Sequence, residues 1–540
     1  MIDRPAQPAS ASTAAGSFGL RADWRFLLPS GPHRHVLVVG SAATNWGYLV
    51  EDSWTERLST DPAAATADGP GDHGPDVVVV DGDADPAPAL AAAGPHAVAV
   101  IALGRNPRQR IRRLGALGPA GFTVRARYLA TPDLAGATRL VPIDRSAAIR
   151  WLLAPPPPVP GTGTGLRRRA RVWTVAAGAA AVAGATGRAP GWIGRAIGAG
   201  ADGLVIAERT PTDGALPILM TSGHDEGSRA VLVDPPGTDG GGTVTKVAPR
   251  PRYNGNVEAE IEVIAAVRDR VGQTEAELLP AVIGATTVDG LAASVERYAG
   301  RWTAADLCHR VPAARSAVLD QTLGAIDRLA NASVTDRTAP WTADRFDELI
   351  GDLFDQVAEL TERGPDLTAL RDDLTARSGA LVGRPLPMVQ RHYDLGPWNV
   401  VVADDGSALT IVDWELAPPR ALGRPGPAGA DQITVVKYWL HAALATASID
   451  EELAAFEFLA AGPEEPRAVA AAALRRSFGR IGVDPGFVPL LMTHAWLEKA
   501  RYTAARRAGQ HGTSRQDPGP SVDYLAAMAD HRATLLRFWP

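Results

Sequence analysis

One stretch of this chain fixes the local fold around it more tightly than any other. Gln390-Arg-His-Tyr-Asp-Leu-Gly-Pro-Trp-Asn-Val400 carries His392, Asp394 and Asn399 in the spacing H-x-D-x-x-x-x-N, and Asp413 follows fourteen residues after Asn399 in Thr410-Ile-Val-Asp-Trp-Glu415. Between them, two apolar runs flank Asp404-Asp405-Gly406-Ser407, which is the turn chemistry of a β-hairpin. A hairpin there returns Asp413 to the side of Asn399. Phosphoryl transfer from ATP needs a carboxylate to orient an attacking hydroxyl and accept its proton, and hard oxygen ligands to hold magnesium on the triphosphate. A loop with Asp394 and Asn399, joined by Asp413 across the hairpin, supplies both.

Upstream, Thr243-Val-Thr-Lys-Val-Ala248 reads as a strand with Lys246 at its centre, the one lysine that precedes this loop. Helical spacing follows in 256–267, where Val257, Ile261, Ile264 and Val267 or Ala265 form one face and Glu258, Glu260 and Glu262 lie close together. The segment 216–234 reads as two strands around Gly223 and Gly227, and 281–287 and 291–298 as two more. From Thr303 onward the pattern is helical, in 303–329, 342–360, 432–446, 451–461 and 489–508.

The loop variant, with H-Y-D in place of H-R-D and D-W-E in place of D-F-G, resembles the aminoglycoside phosphotransferase and choline kinase family, small-molecule relatives of the protein kinases. The resemblance spans roughly residues 211–540. It implies that Asp394 is the catalytic base, that Asn399 and Asp413 bind Mg2+, and that His392 holds the loop in shape. It further implies that Lys246 binds the ATP phosphates, with Glu260 best matching the glutamate that pairs with it and Glu258 and Glu262 as close rivals. Gly223 and Gly227 would sit in the phosphate-covering loop, and residues 296–300 at the adenine side. The acceptor would be a small molecule with a hydroxyl group.

The amino-terminal part reads differently. His35–Gly40, Pro75–Asp81 and His96–Leu103 are short β-branched runs without alternation, as in strands buried on both faces of a parallel sheet. Residues 121–128 and 139–144 weakly resemble the closing strands of a class I methyltransferase-like domain, and 204–209 reads as a strand rejoining that sheet. After the first strand, however, Gly40-Ser-Ala-Ala-Thr-Asn-Trp-Gly47 lacks the Gly-rich turn that lets a nucleotide cofactor approach the backbone. A degenerate domain is expected.

Together these readings predict an α/β Rossmann-like amino-terminal domain plus an α+β bilobal protein-kinase-like domain. The expected divisions are a loose tail over 1–20, the α/β domain over 21–210 with a Pro/Gly connector at 155–165, an amino-terminal lobe over 211–300 and a helical lobe over 301–540. With 54 basic and 60 acidic residues and a net charge of -6 there is no electrostatic footprint for nucleic acid. A lone Cys308 forms neither an internal disulfide nor a thiolate zinc site, which fits a reducing, cytoplasmic compartment. Residues 1–20 lack the apolar core of a signal peptide. The uncharged run 172–187 falls short of the ~20 apolar residues that span a membrane, so no stable insertion is expected. Two other readings were open: a pseudokinase-like binding protein, against which the intact Lys246, Asp394, Asn399 and Asp413 set argues, and a bifunctional methyltransferase-kinase, against which the missing Gly-rich turn argues.

Overall fold

The computed structural model describes residues 23–29, 31, 33–40, 48–65, 74–81, 84–104, 106–131, 138–159, 202–212, 216–221, 228–237, 241–360, 367–414, 425–444, 467–507, 528–530 and 532–533. The tail, the Gly223 and Gly227 turn, the run 172–187, residues 160–165 of the connector and the helix expected over 451–461 lie outside the described residues. The chain divides into two compact units, one formed by residues 1–154, 170–254 and 284–298, the other by 155–169, 255–283 and 299–540.

The first unit is built on a twelve-stranded mixed sheet. Its strands in chain order are β1 (His33–Val39), β2 (Thr55–Ser59), β3 (Val77–Val80), β4 (Val98–Leu103), β5 (Thr123–Thr131), β6 (Arg139–Pro142), β7 (Gly203–Glu208), β8 (Ile218–Met220), β9 (Ala230–Asp234), β10 (Thr243–Val247), β11 (Val282–Val288) and β12 (Leu291–Arg297). Their spatial order is β11-β12-β10-β9-β8-β6-β5-β7-β4-β3-β1-β2. The valine runs behave as expected: β1, β3 and β4 are parallel, and Val77 to Val80 are all fully buried. Alternate residues serve opposite faces. Val36, Val38, Val77 and Val79 pack with Trp24 and Trp54, whereas Leu37, Val78 and Val80 pack with Leu90 of helix α1 (Pro86–Ala92) and Leu117 of α2 (Pro107–Leu117).

Two features depart from expectation. Strand β7 rejoins the sheet, but as an antiparallel strand between β4 and β5, so the sheet is mixed rather than a parallel Rossmann-like layer. The division expected near residue 210 falls inside the sheet, because β6 pairs with β8 through Arg139↔Met220 and Leu140↔Leu219. Edge strands with unpaired backbone groups pair readily with a neighbour. The five strands expected for the lobe after residue 211 are present in the order β11-β12-β10-β9-β8, continuous with the rest. Helix α3 (Ser146–Leu153) covers β6, β8 and β9 through Trp151 against Val141, Ile218 and Val233.

The second unit has a largely helical core. Helix α4 (Asn254–Val271) buries a stripe of Val257, Glu260, Ile264, Val267 and Val271, a 3–4 spacing that puts all five on one face, while Glu258 and Glu262 are exposed. The helix expected over 303–329 is broken at Pro312, which cannot donate a backbone hydrogen bond, into Ala304–Arg310 and α5 (Arg315–Ser333). Then come α6 (Ala430–Leu444), α7 (Arg467–Ile481) and α8 (Val488–Arg507). Among them, β13 (Trp302–Thr303), β14 (Met388–Val389), β15 (Val400–Val402), β16 (Leu409–Ile411) and β17 (Gly426–Pro427) make two small sheets, β13-β15-β16 and β14-β17. The connector residues Pro155–Val159 belong to this unit: Trp302 donates its indole N–H to the Pro155 carbonyl at 3.2 Å, and a Cβ on Gly406 would collide with the Pro158 carbonyl.

Candidate active site

The predicted hairpin forms. Strands β15 and β16 pair through Val400↔Ile411, Val401↔Thr410 and Val402↔Leu409, and the Val412 amide donates to the Asn399 carbonyl at 2.8 Å. Asp413 is therefore returned to the end of the loop that carries Asp394. Both ends of this frame have backbone that L-residues seldom adopt: Tyr393 and Asp413 have φ of 70°. Such conformations cost roughly 1–3 kcal/mol each and persist only where the surroundings over-determine them.

The surroundings here are visible. Arg391 is essentially fully buried, its Nη1 and Nη2 donating to the Glu498 oxygens at 2.9 Å each and its Nε to Asp431 Oδ1 at 3.1 Å. A Cβ on Gly426 would strike the Arg391 side chain, so this glycine is required by close approach. Burial alone would weaken the Arg391 charge, but Glu498 and Asp431 outweigh it and hold the guanidinium well above its ordinary pKa. Burial alone would likewise raise the Glu498 carboxyl, and Arg391 with His494 brings it below the usual range. The guanidinium also lies 4.7 Å from the Tyr393 ring centroid, beside the first strained position.

His392 continues the frame. Its backbone N–H donates to the second Asp431 oxygen at 2.8 Å, and its Nε2 lies 2.9 Å from the Val412 carbonyl. A carbonyl only accepts, so Nε2 carries the proton and Nδ1 is left to accept the Asp394 amide, 3.4 Å away. The ring packs on Trp414 at 4.7 Å. One imidazole thus ties the residue before Asp413 to the residue Asp394.

Asn399 donates through Nδ2 to the Asp394 carbonyl at 2.9 Å, which leaves its Oδ1 directed elsewhere. Asp394 and Asp413 are both half-buried. Burial pushes the Asp394 carboxyl above the usual carboxylate range, with Lys499 opposing and Asp413 adding to the rise. Glu260, the inward-facing member of its triplet, accepts the Trp414 backbone N–H at 3.0 Å, one residue beyond Asp413.

In the first unit, Lys246 Nζ lies 2.9 Å from Glu296 Oε1, and both side chains are buried. Antiparallel register explains the meeting: Lys246 is opposite Ser294 and Val244 opposite Glu296, so the four share one face of β10 and β12. Sequence reasoning located Glu296 only as the start of the adenine-side segment. It read Asp431 only as the start of a helix and gave no role to Glu498 and Lys499.

No family model and no curated protein matches the sequence. The structural neighbours of the chain are small-molecule phosphotransferases. A glucosamine kinase aligns at TM-score 0.32 and 21% identity over 50% of this chain and 70% of its own. An aminoglycoside-3'-phosphotransferase of type VIII aligns at 0.31 and 19% over 54% and 92%, and a macrolide 2'-phosphotransferase type I at 0.30 and 14% over 60% and 91%.

Proposed function

We propose that this chain is an ATP- and magnesium-dependent phosphotransferase that moves the γ-phosphate of ATP to a hydroxyl group of a small molecule. The observation that carries the reading is the frame around Asp394: a buried Arg391 and a doubly bonded His392 hold Asp394 and Asp413 on one loop-hairpin, with strained backbone at Tyr393 and Asp413. Strain retained against a cost of this size is a mark of functional sites.

Asp394 orients the acceptor hydroxyl and takes its proton as the oxygen attacks the γ-phosphorus, and the bond to the bridging oxygen of ADP breaks. Its raised pKa suits a base better than a carboxylate left at its ordinary value. His392 positions this base through its amide.

The donor set fits magnesium. Among the described residues there is no group of three or more His, Cys, Asp or Glu able to cage a metal by themselves. Magnesium is normally held by one or two carboxylates with the substrate phosphates completing its shell, and Asp413 with the Oδ1 of Asn399 matches that pattern. When bound, the ion neutralises charge on the phosphates. Lys246 is the phosphate contact in this reading.

The test is nucleotide affinity and ADP release by the purified full chain, with and without magnesium. Saturable, magnesium-dependent ATP binding is expected, and its absence refutes the proposal.

A further inference from the structure

Of the 54 basic residues in this chain only three are lysines: Lys246, Lys437 and Lys499. Arginine serves everywhere else, including the buried loop anchor Arg391. Two of the three lysines meet at one place. Lys437 on α6 has its Nζ 4.9 Å from the Tyr438 ring centroid, and Lys499 on α8 has its Nζ 5.8 Å from Tyr438 and 5.2 Å from Tyr502. Tyr438 also packs against Trp398, between Asp394 and Asn399 in the loop, at 4.5 Å. Trp398 is 43% exposed, a large apolar ring left open on the loop that carries Asp394. A compact, strongly hydrated ammonium differs from a guanidinium fork in that it meets an anion as a point charge.

Two ammonium groups act on Asp394. Lys499 and Lys437 act on it as positive groups and Asp413 as a negative one. The nearby acids Glu498 and Asp431 are already engaged by Arg391 and the His392 amide. Burial works against the Lys499 charge, but Tyr438 and Asp394 outweigh it and its pKa lies above the ordinary lysine value. A polycationic acceptor would meet the half-buried Lys499 ammonium here, with the buried charge of Lys437 nearby, a repulsion of the kind that serves to reject partners.

We propose that the acceptor carries an anionic group, a carboxylate or a phosphate, which Lys499 receives while the body of the acceptor lies on Trp398 and Tyr438. This rests on the reading of Asp394 as the base. Lys499 is then a specificity residue of the acceptor site.

A charge series on one sugar skeleton tests it: glucose, glucosamine, glucuronate and glucose 6-phosphate, each at equal concentration with the full chain and magnesium-ATP, followed by ADP release. An anionic member is expected to exceed glucose and glucosamine in kcat/KM by roughly 10- to 100-fold, the worth of a hydrogen bond to a charged group. Glucuronate against glucose 6-phosphate distinguishes carboxylate from phosphate. Lys499→Glu should abolish the preference and Lys499→Arg restore part of it, with thermal stabilisation by magnesium-ATP reporting that each variant folds. If Lys499→Glu does not fold, Lys499→Met serves in its place. A preference for glucosamine, equal response to all four, or no response to either anion overturns the inference. Should magnesium-ATP fail to stabilise even the unsubstituted chain, the phosphotransferase reading itself fails.

Discussion

Lys246 and Glu296 sit on neighbouring strands with Nζ and Oε1 2.9 Å apart, both side chains buried in the sheet. A lysine in the middle of a β-run is acceptable only with such a counter-charge. Glu296→Gln keeps the shape and removes the charge, and is expected to cost about 1.5–3 kcal/mol of stability, the range for a hydrogen bond to a charged group. It should also weaken magnesium-ATP binding, because it loosens the side chain proposed to contact the phosphates. Urea unfolding and nucleotide titration of the variant check both effects.

Arg391 anchors the loop from inside. Arg391→Met leaves Asp431 and Glu498 buried without their cation and should cost about 3–5 kcal/mol. Arg391→Lys keeps a charge but not the fork that meets both Glu498 oxygens, so its stability should fall between the two. Urea midpoints of the three proteins provide the comparison, and equal midpoints for Arg391→Lys and wild type contradict the anchoring role.

His494 gives the fold an acid limit. Burial lowers its pKa from 6.5 to about 4, against the pull of Glu498, with Nδ1 3.4 Å from Glu498 Oε2. The folded state binds this proton less readily than the unfolded chain, so the stability it confers is complete above pH 6.5 and is lost as pH falls from there toward 4. The difference corresponds to about 3 kcal/mol. His494→Gln should flatten stability across that window, measured by urea unfolding at pH 7, 6, 5 and 4.

How much of this was legible in the sequence follows from the range of each interaction. The loop and hairpin around Asp394 were readable because Asp-Asp-Gly-Ser and its flanking valines are local turn chemistry. Glu296 as the neighbour of Lys246 was not, because it depends on strand register across fifty residues. Asp431 and Glu498, forty and 107 residues from Arg391, were hidden for the same reason. Helix α4 was legible as an amphipathic stripe, but its buried face includes Glu260 and only partly Ile261, since a charged group with the Trp414 amide as partner can occupy a core position. The joining of β6 to β8 had no sequence signal, as edge pairing is written in backbone groups that every residue shares.

Asp413→Ala should separate metal from base. It removes one of the two proposed magnesium ligands, so nucleotide affinity should lose most of its dependence on magnesium while binding of free ATP persists. Titrating ATP at several magnesium concentrations decides it. Identical magnesium responses in variant and wild type rule Asp413 out as a ligand.

Asp394→Asn bears most directly on the central claim. The substitution keeps the size of the side chain and the backbone amide held by His392, and removes the proton acceptor. Single-turnover phosphoryl transfer, measured beside magnesium-ATP affinity on the same sample, is expected to fall by ~10²–10⁴-fold with affinity little changed. Wild-type transfer by Asp394→Asn would contradict the account.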